Sequence, residues 1–274
     1  AFGLCSHATG TSGLAVGTRA TASGYNSSVF GAYSCATGAT ASAFGAYSCA
    51  TGANSSAFGW FAKATGTDSS VFGRSSCATA TKSSAFGYMS LATGANSTAS
   101  GYKSCATGTQ SSAFGRNAKA TGGCSTSIGY ISCATGAWSS VFGFQSCATG
   151  TFSSASGSYS CATAPNSSAF GKGSQATSSS SSAVGFSSCT TATGATAIGY
   201  CAISTSVCAL VLGGCCVGIG ISAPTSDLHI KGSTHLAMTD TTSTSSGTGN
   251  RDIASTAHGL SVGDAVKIPS GAAS

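Results

Sequence analysis

Glycine returns every fourteenth residue, from Gly3 through Gly17, Gly31 and onward to Gly213, without one slip. A second glycine column runs seven residues behind it, from Gly10 to Gly66 and from Gly94 to Gly150, and then decays to Ala164 and Ser178. Residues 41–54 show a typical unit: Ala-Ser-Ala-Phe-Gly-Ala-Tyr-Ser-Cys-Ala-Thr-Gly-Ala-Asn. A fixed internal period decides architecture before any local propensity does. Halves of seven residues cannot hold a pair of packed helices. They can hold two strands of about four or five residues with tight glycine turns between them. Stacking such units predicts an all-β parallel solenoid of about 15 coils, about 4.8 Å per coil, roughly 70 Å long. A disordered Gly/Ser chain would not keep phase over this length, nor hold its apolar residues in one column.

Column tolerance predicts which side chains face outward. The column His7, Thr21, Cys35, Cys49, Lys63, Cys77, Leu91, Cys105, Lys119, Cys133, Cys147, Cys161, Gln175, Cys189 accepts charged, polar and apolar residues, so it must reach solvent. Strand alternation then turns its neighbours inward. These are Ser or Ala on one side (Ser34, Ser48, Ala62, Ser76) and Ala on the other (Ala36, Ala50, Ala64, Ala78). The interior is thus filled by small side chains, and the two sheets must lie close together. In the first segment the same parity sends Ser55 and Ala57 in, and Ser56 and Phe58 out. The outward column is Phe2, Val16, Phe30, Phe44, Phe58, Phe72, Phe86, Ser100, Phe114, Ile128, Phe142, Ser156, Phe170, Val184, Ile198, Leu212. The opposite parity would bury Lys63 and Lys119 unpaired, at several kcal/mol each. An apolar stripe this long calls for a partner surface, and burial at about 25 cal/mol per Å² favours association. A closed symmetric assembly about a shared axis is its natural sink. Phe30, Phe44, Phe58, Phe72, Phe86, Phe114, Ile128, Phe142 and Phe170 are its expected interface residues.

The repeat resembles the YadA-like head of trimeric autotransporter adhesins, whose motif is Ser-x-Ala-(Ile/Val)-Gly followed by x-x-Ser/Ala-x-Ala-Thr-Gly. Here it stands as Ser56-Ala57-Phe58-Gly59 and Ala62-Lys63-Ala64-Thr65-Gly66. The resemblance covers residues 1 to about 220. It implies a left-handed parallel β-roll, a homotrimer and a role in surface adhesion. Two departures stand out: Phe replaces the usual Ile or Val in the axial column, and cysteine is abundant. Farther on, residues 217–230 (Val-Gly-Ile-Gly-Ile-Ser-Ala-Pro-Thr-Ser-Asp-Leu-His-Ile) resemble a linker of viral tail fibres and bacterial surface fibres. Residues 258–268 resemble a small β-module of tail proteins. The expected organisation is a repeat shaft or head over 1–216, a linker or neck over 217–238, and a flexible loop with a partial β-module over 239–274.

Composition narrows function. Charged residues are 6% of the chain, with 11 Lys+Arg against 5 Asp+Glu and four His. That supplies neither the dense basic face of a nucleic-acid binder nor much acid–base chemistry, and no enzyme activity, metal site or cofactor is expected. The longest apolar stretch, Cys208 to Leu212, is too short to cross a bilayer, so no direct membrane insertion is expected.

Three surface features remain. Successive cysteines of the outward column, such as Cys35/Cys49 and Cys133/Cys147/Cys161, would sit about 4.8 Å apart, within disulfide range for Cα atoms. Cys201 and Cys215 share another column. These residues are either apolar fillers, a ladder of disulfides, or a metal or redox site; with no Cys-x-x-Cys pair, zinc is disfavoured. Large residues follow the first glycine: Trp60, Phe61, Arg74, Tyr88, Tyr102, Lys103, Arg116 and Tyr130 among them. Stacked at one corner they form an aromatic and basic ridge suited to sugars or anionic cell-surface polymers, or else a shield between protomers. Finally, an unbroken Thr column from Thr37 to Thr177 admits an ice-binding surface, against which its alternation with Cys argues. The sequence therefore reads as a non-enzymatic, homotrimeric fibre or adhesin segment, extracellular on a cell or virion surface. It would attach to a glycan or receptor, or serve as a purely structural filament or tail-fibre shaft cross-linked by disulfides.

Overall fold

The computed structural model describes residues 1–214, 217–219 and 228–230. From the N-terminus onward the chain winds into a parallel β-solenoid. Three-residue strands from Leu14–Val16 to Leu210–Leu212 form one 15-stranded sheet, and two-residue strands from His7–Ala8 to Ile203–Ser204 form a second. Each strand pairs with its equivalent fourteen residues away, so Ser56, Ala57 and Phe58 face Ser70, Val71 and Phe72, and Lys63 faces Cys77. Val217–Ile219 and Leu228–Ile230 form a separate parallel pair. The second compact unit of the chain, Gly232–Ser274, lies outside the described residues, as does the β-module expected over 258–268.

The strands are two and three residues long, shorter than the four or five expected. The turns take the difference. Every seventh residue from Cys5 to Cys208 has left-handed backbone with φ near +55°, among them Tyr33, Phe61, Ile131 and Trp138. For a non-glycine residue this conformation costs roughly 1–2 kcal/mol. It is held by the neighbouring coil: the Phe61 N–H donates to the Ala46 carbonyl at 3.1 Å, and the Asp68 N–H to the Ala53 carbonyl at 2.9 Å. Each turn thus closes by pairing between coils, and residue types that do not ordinarily favour this region are carried along.

The two glycine columns differ for a physical reason. Gly59 has φ of +134°, where only glycine is at ease, and a Cβ there would stand 2.5 Å from the Gly73 carbonyl oxygen. Gly66 is crowded still more closely by the Ala80 carbonyl but has no such φ. The first column is therefore unbroken, while the second admits Ala80 and Ala164.

Between the sheets lie Ala57, Ala62, Ala64, Val71 and their equivalents, all fully buried. Most of the buried serines are satisfied locally, while the Oγ atoms of Ser69, Ser90 and Ser97 have no hydrogen-bond partner. Ser55 donates from its Oγ to the Gly52 carbonyl at 2.6 Å, and its N–H points to the same oxygen. Ser27, Ser111 and Ser139 repeat this bond. A hydroxyl that caps its own turn removes the penalty of burying a polar group, which is why a Ser/Ala interior can be dry and narrow.

Candidate functional site

With Ala57 inside, alternation puts Phe58 on the outer face of the first sheet. The ring column runs on one line. Phe30, Phe44, Phe58, Phe72 and Phe86 stack in sequence with centroids 4.9, 4.8, 4.8 and 5.5 Å apart and planes within 12° of parallel. Each ring covers its neighbours' faces and turns its edge outward. Even so, Phe72 is 44% and Phe142 47% exposed in the isolated chain. Phe114, Ile128 and Phe170 are likewise exposed, while Phe44 and Phe58 are half-buried.

The outer face of the second sheet carries the cysteines. Cys35 pairs in register with Cys49, Cys133 with Cys147, and Cys147 with Cys161. All are half-buried free thiols, and the Cys35 and Cys49 Sγ atoms lie 2.6 Å apart. Lys63 stands in register beside Cys49, and Lys119 beside Cys133. The thiols titrate unequally. A hydrogen bond from Cys147, together with the Lys119 charge, lowers Cys133 to about 6 against the desolvation that opposes it. Hydrogen bonding to Cys133 and Cys161, then burial, pushes Cys147 far up. Cys49 and Cys161 are each lowered to about 7 by hydrogen bonds from Cys35 and Cys147 respectively. Each cluster thus shares protons, one sulfur holding the hydrogen that stabilises the next as thiolate. Cys201 is exposed, while Cys215 lies outside the described residues. No group of three metal-ligating side chains is assembled among the described residues.

The corner after the first glycine holds two neighbouring columns. One contains Trp60, Arg74, Tyr88, Tyr102, Arg116, Tyr130 and Phe144; the left-handed positions beside it contain Arg19, Tyr33, Tyr47, Phe61 and Lys103. Arg19 lies over Tyr33 at 5.5 Å, and Tyr33, Tyr47 and Phe61 stack at 5.1 and 4.6 Å. Phe61 meets Trp60 edge-on at 4.5 Å, and the ladder changes column there. Arg74 sits 4.3 Å from the Trp60 centroid and 5.6 Å from that of Tyr88, and Arg116 bridges Tyr102 and Tyr130. A shallow hollow of about 350 Å³ along it is lined by Trp60 and Arg74.

The arrangement changes what the ridge offers. Sugars stack on ring faces, but here successive rings and guanidinium groups cover those faces, leaving edges, hydroxyls and cations outward. The sequence reading missed this because composition places rings at a corner without fixing their tilt. It also missed a polar ladder at the opposite corner, where Thr40 donates to Asn54, and Asn54 to Asp68 at 2.9 Å. The fourteen-residue spacing of these three residues was its signal.

No helix among the described residues is long and apolar enough to cross a membrane. The chain matches no curated protein. Residues 8–34, 50–76, 78–104, 106–130 and 162–188 match the YadA head domain repeat.

Proposed function

We propose that this chain, five stretches of which match the YadA head domain repeat, is a non-enzymatic segment of a homotrimeric surface fibre, extracellular, and that it mediates attachment. The reading rests above all on the continuous column of outward rings on the first sheet. A phenylalanine buries about 200 Å² when fully covered. With 44% still exposed at Phe72, covering the remainder is worth about 2 kcal/mol per ring at about 25 cal/mol per Å². Repeated along the column, that exceeds the roughly 4–15 kcal/mol that association costs in lost freedom. In the trimer, Phe30, Phe44, Phe58, Phe72, Phe86, Phe114, Ile128, Phe142 and Phe170 meet their copies. The corner ladder of Trp60, Phe61, Arg74, Tyr88, Tyr102, Lys103, Arg116 and Tyr130 stays on the outside as the surface for receptor contact. Its cations and ring edges favour an anionic surface polymer over a neutral sugar that needs an open ring face.

The deciding experiment is mass under non-denaturing conditions. The wild-type chain should run as three copies. Phe58→Asp combined with Phe72→Asp should yield single chains, while Lys63→Asp leaves the assembly intact. A soluble wild-type monomer would remove the trimer, and the reverse pattern of variants would remove the assignment of the interface.

A further inference from the structure

We propose that Cys133, Cys147 and Cys161 form a thiol–disulfide exchange site in which one disulfide moves between two positions on the outer face of the second sheet. The geometry has three parts. The residues occupy one column on three successive strands in direct register. Their sulfurs therefore follow one another along the stacking direction, the in-line arrangement that displacement at sulfur requires. Cys147, in the middle, pairs in register with both neighbours, so it can close a bond with either but not with both. Lys119 stands beside Cys133 at one end, where its charge favours a thiolate.

The chemistry balances with a low-molecular-weight disulfide as oxidant. Cys133 thiolate attacks one sulfur of the oxidant; the oxidant's S–S bond breaks, and one small thiolate leaves. Cys147 then loses its proton to that thiolate and attacks Cys133. The Cys133–Cys147 bond forms and the second small thiolate departs, taking from water the proton that Cys133 released on ionising, so two protein thiols are oxidised as one small disulfide is reduced to two thiols. Cys161 remains as a third thiol beside the new bond. Its thiolate attacks Cys147, forming Cys147–Cys161 and expelling Cys133 as a thiolate next to Lys119. No net oxidation accompanies this second step. Cys35 and Cys49 are the built-in contrast. Their flanking column positions are Thr21 and Lys63, so their disulfide, once formed, has no third thiol to move to.

The test uses the full-length chain with oxidised glutathione as probe. After a brief pulse, thiols are trapped with an alkylating reagent. Chymotrypsin then separates the three cysteines, because Phe142 and Phe144 lie between Cys133 and Cys147, and Phe152 and Tyr159 between Cys147 and Cys161. The expected result is both linkages in the same sample, one alkylated thiol per triad, and a linkage ratio that relaxes to a constant value after the oxidant is removed. Cys161→Ser should leave Cys133–Cys147 alone, and Cys147→Ser should abolish both. Closure of Cys35–Cys49 in each variant reports that the coils are folded. Two results would overturn the proposal: no triad linkage at glutathione levels that close Cys35–Cys49, or one linkage that persists unredistributed in the wild-type chain.

Discussion

The two sheets share a repeat, an interior of Ala and Ser and the same pairing between coils, yet their outer faces differ. One carries Phe, Val, Ile or Leu in all but two coils, with Ser100 and Ser156 as its gaps; the other accepts His, Thr, Cys, Lys, Leu, Gln and Ile at the equivalent place. The uniformity of the first face fits the proposed trimer contact, and the variety of the second fits freedom to meet water. A column's tolerance thus separates surface shared with a partner from surface left open, a distinction that exposure in one isolated chain cannot make.

The largest effect should come from the turn that joins the two faces. Gly59→Ala forces a Cβ against the Gly73 carbonyl at an unfavourable φ, and it should cost about 3 kcal/mol or more. Gly66→Ala is crowded more closely but lacks the φ, and because Ala80 and Ala164 already stand in this column it should cost less. Chemical denaturation midpoints of the two variants compare them directly. Next is a gap-filling pair. Ser100→Phe restores the ring between Phe86 and Phe114 and should tighten self-association by about tenfold or more, since about 1.4 kcal/mol is a factor of ten. Leu91→Lys on the other face should leave the association constant unchanged. Sedimentation at graded concentrations measures both.

The smallest effect lies within the cysteine face. Cys133 is lowered from 9.0 to about 6, whereas burial raises Cys105. At pH 7 this gives Cys133 the larger thiolate fraction. Its weaker intrinsic nucleophilicity offsets part of that gain, and alkylation should still run several-fold faster than at Cys105. Below about pH 6 Cys133 becomes protonated as well, so both rates fall together; the advantage disappears instead as pH rises far enough to ionise Cys105, whose more basic thiolate is then the better nucleophile. Lys119 flanks and lowers both thiols, so Lys119→Gln should reduce the thiolate fraction of each at pH 7. Residue-resolved alkylation rates across pH 5 to 9 check each point.

Much of this was legible in the sequence. The glycine spacing set the coil, and the lysines at 63 and 119 fixed which neighbours turn inward, because an unpaired buried ammonium is too costly to ignore. The strand lengths were less accessible. Tyr33, Phe61 and Ile131 do not advertise a left-handed turn, and they adopt one only because the next coil supplies the hydrogen bond. The cysteine column was visible as a column, but the sharing of protons among its sulfurs depends on side-chain approach. Ring tilt at the corner was equally hidden, and it decides whether a ligand meets a π face or an edge.

The identical pairing of each coil with its neighbours carries a further consequence for how such chains can change. Removing or duplicating any fourteen consecutive residues leaves every surviving strand in register and every exterior seam aligned, so length becomes a countable quantity, adjusted in single windings. Insertions of any other size would rotate one portion's seams away from the other's. A lineage built this way can lengthen its reach without redesigning its contacts.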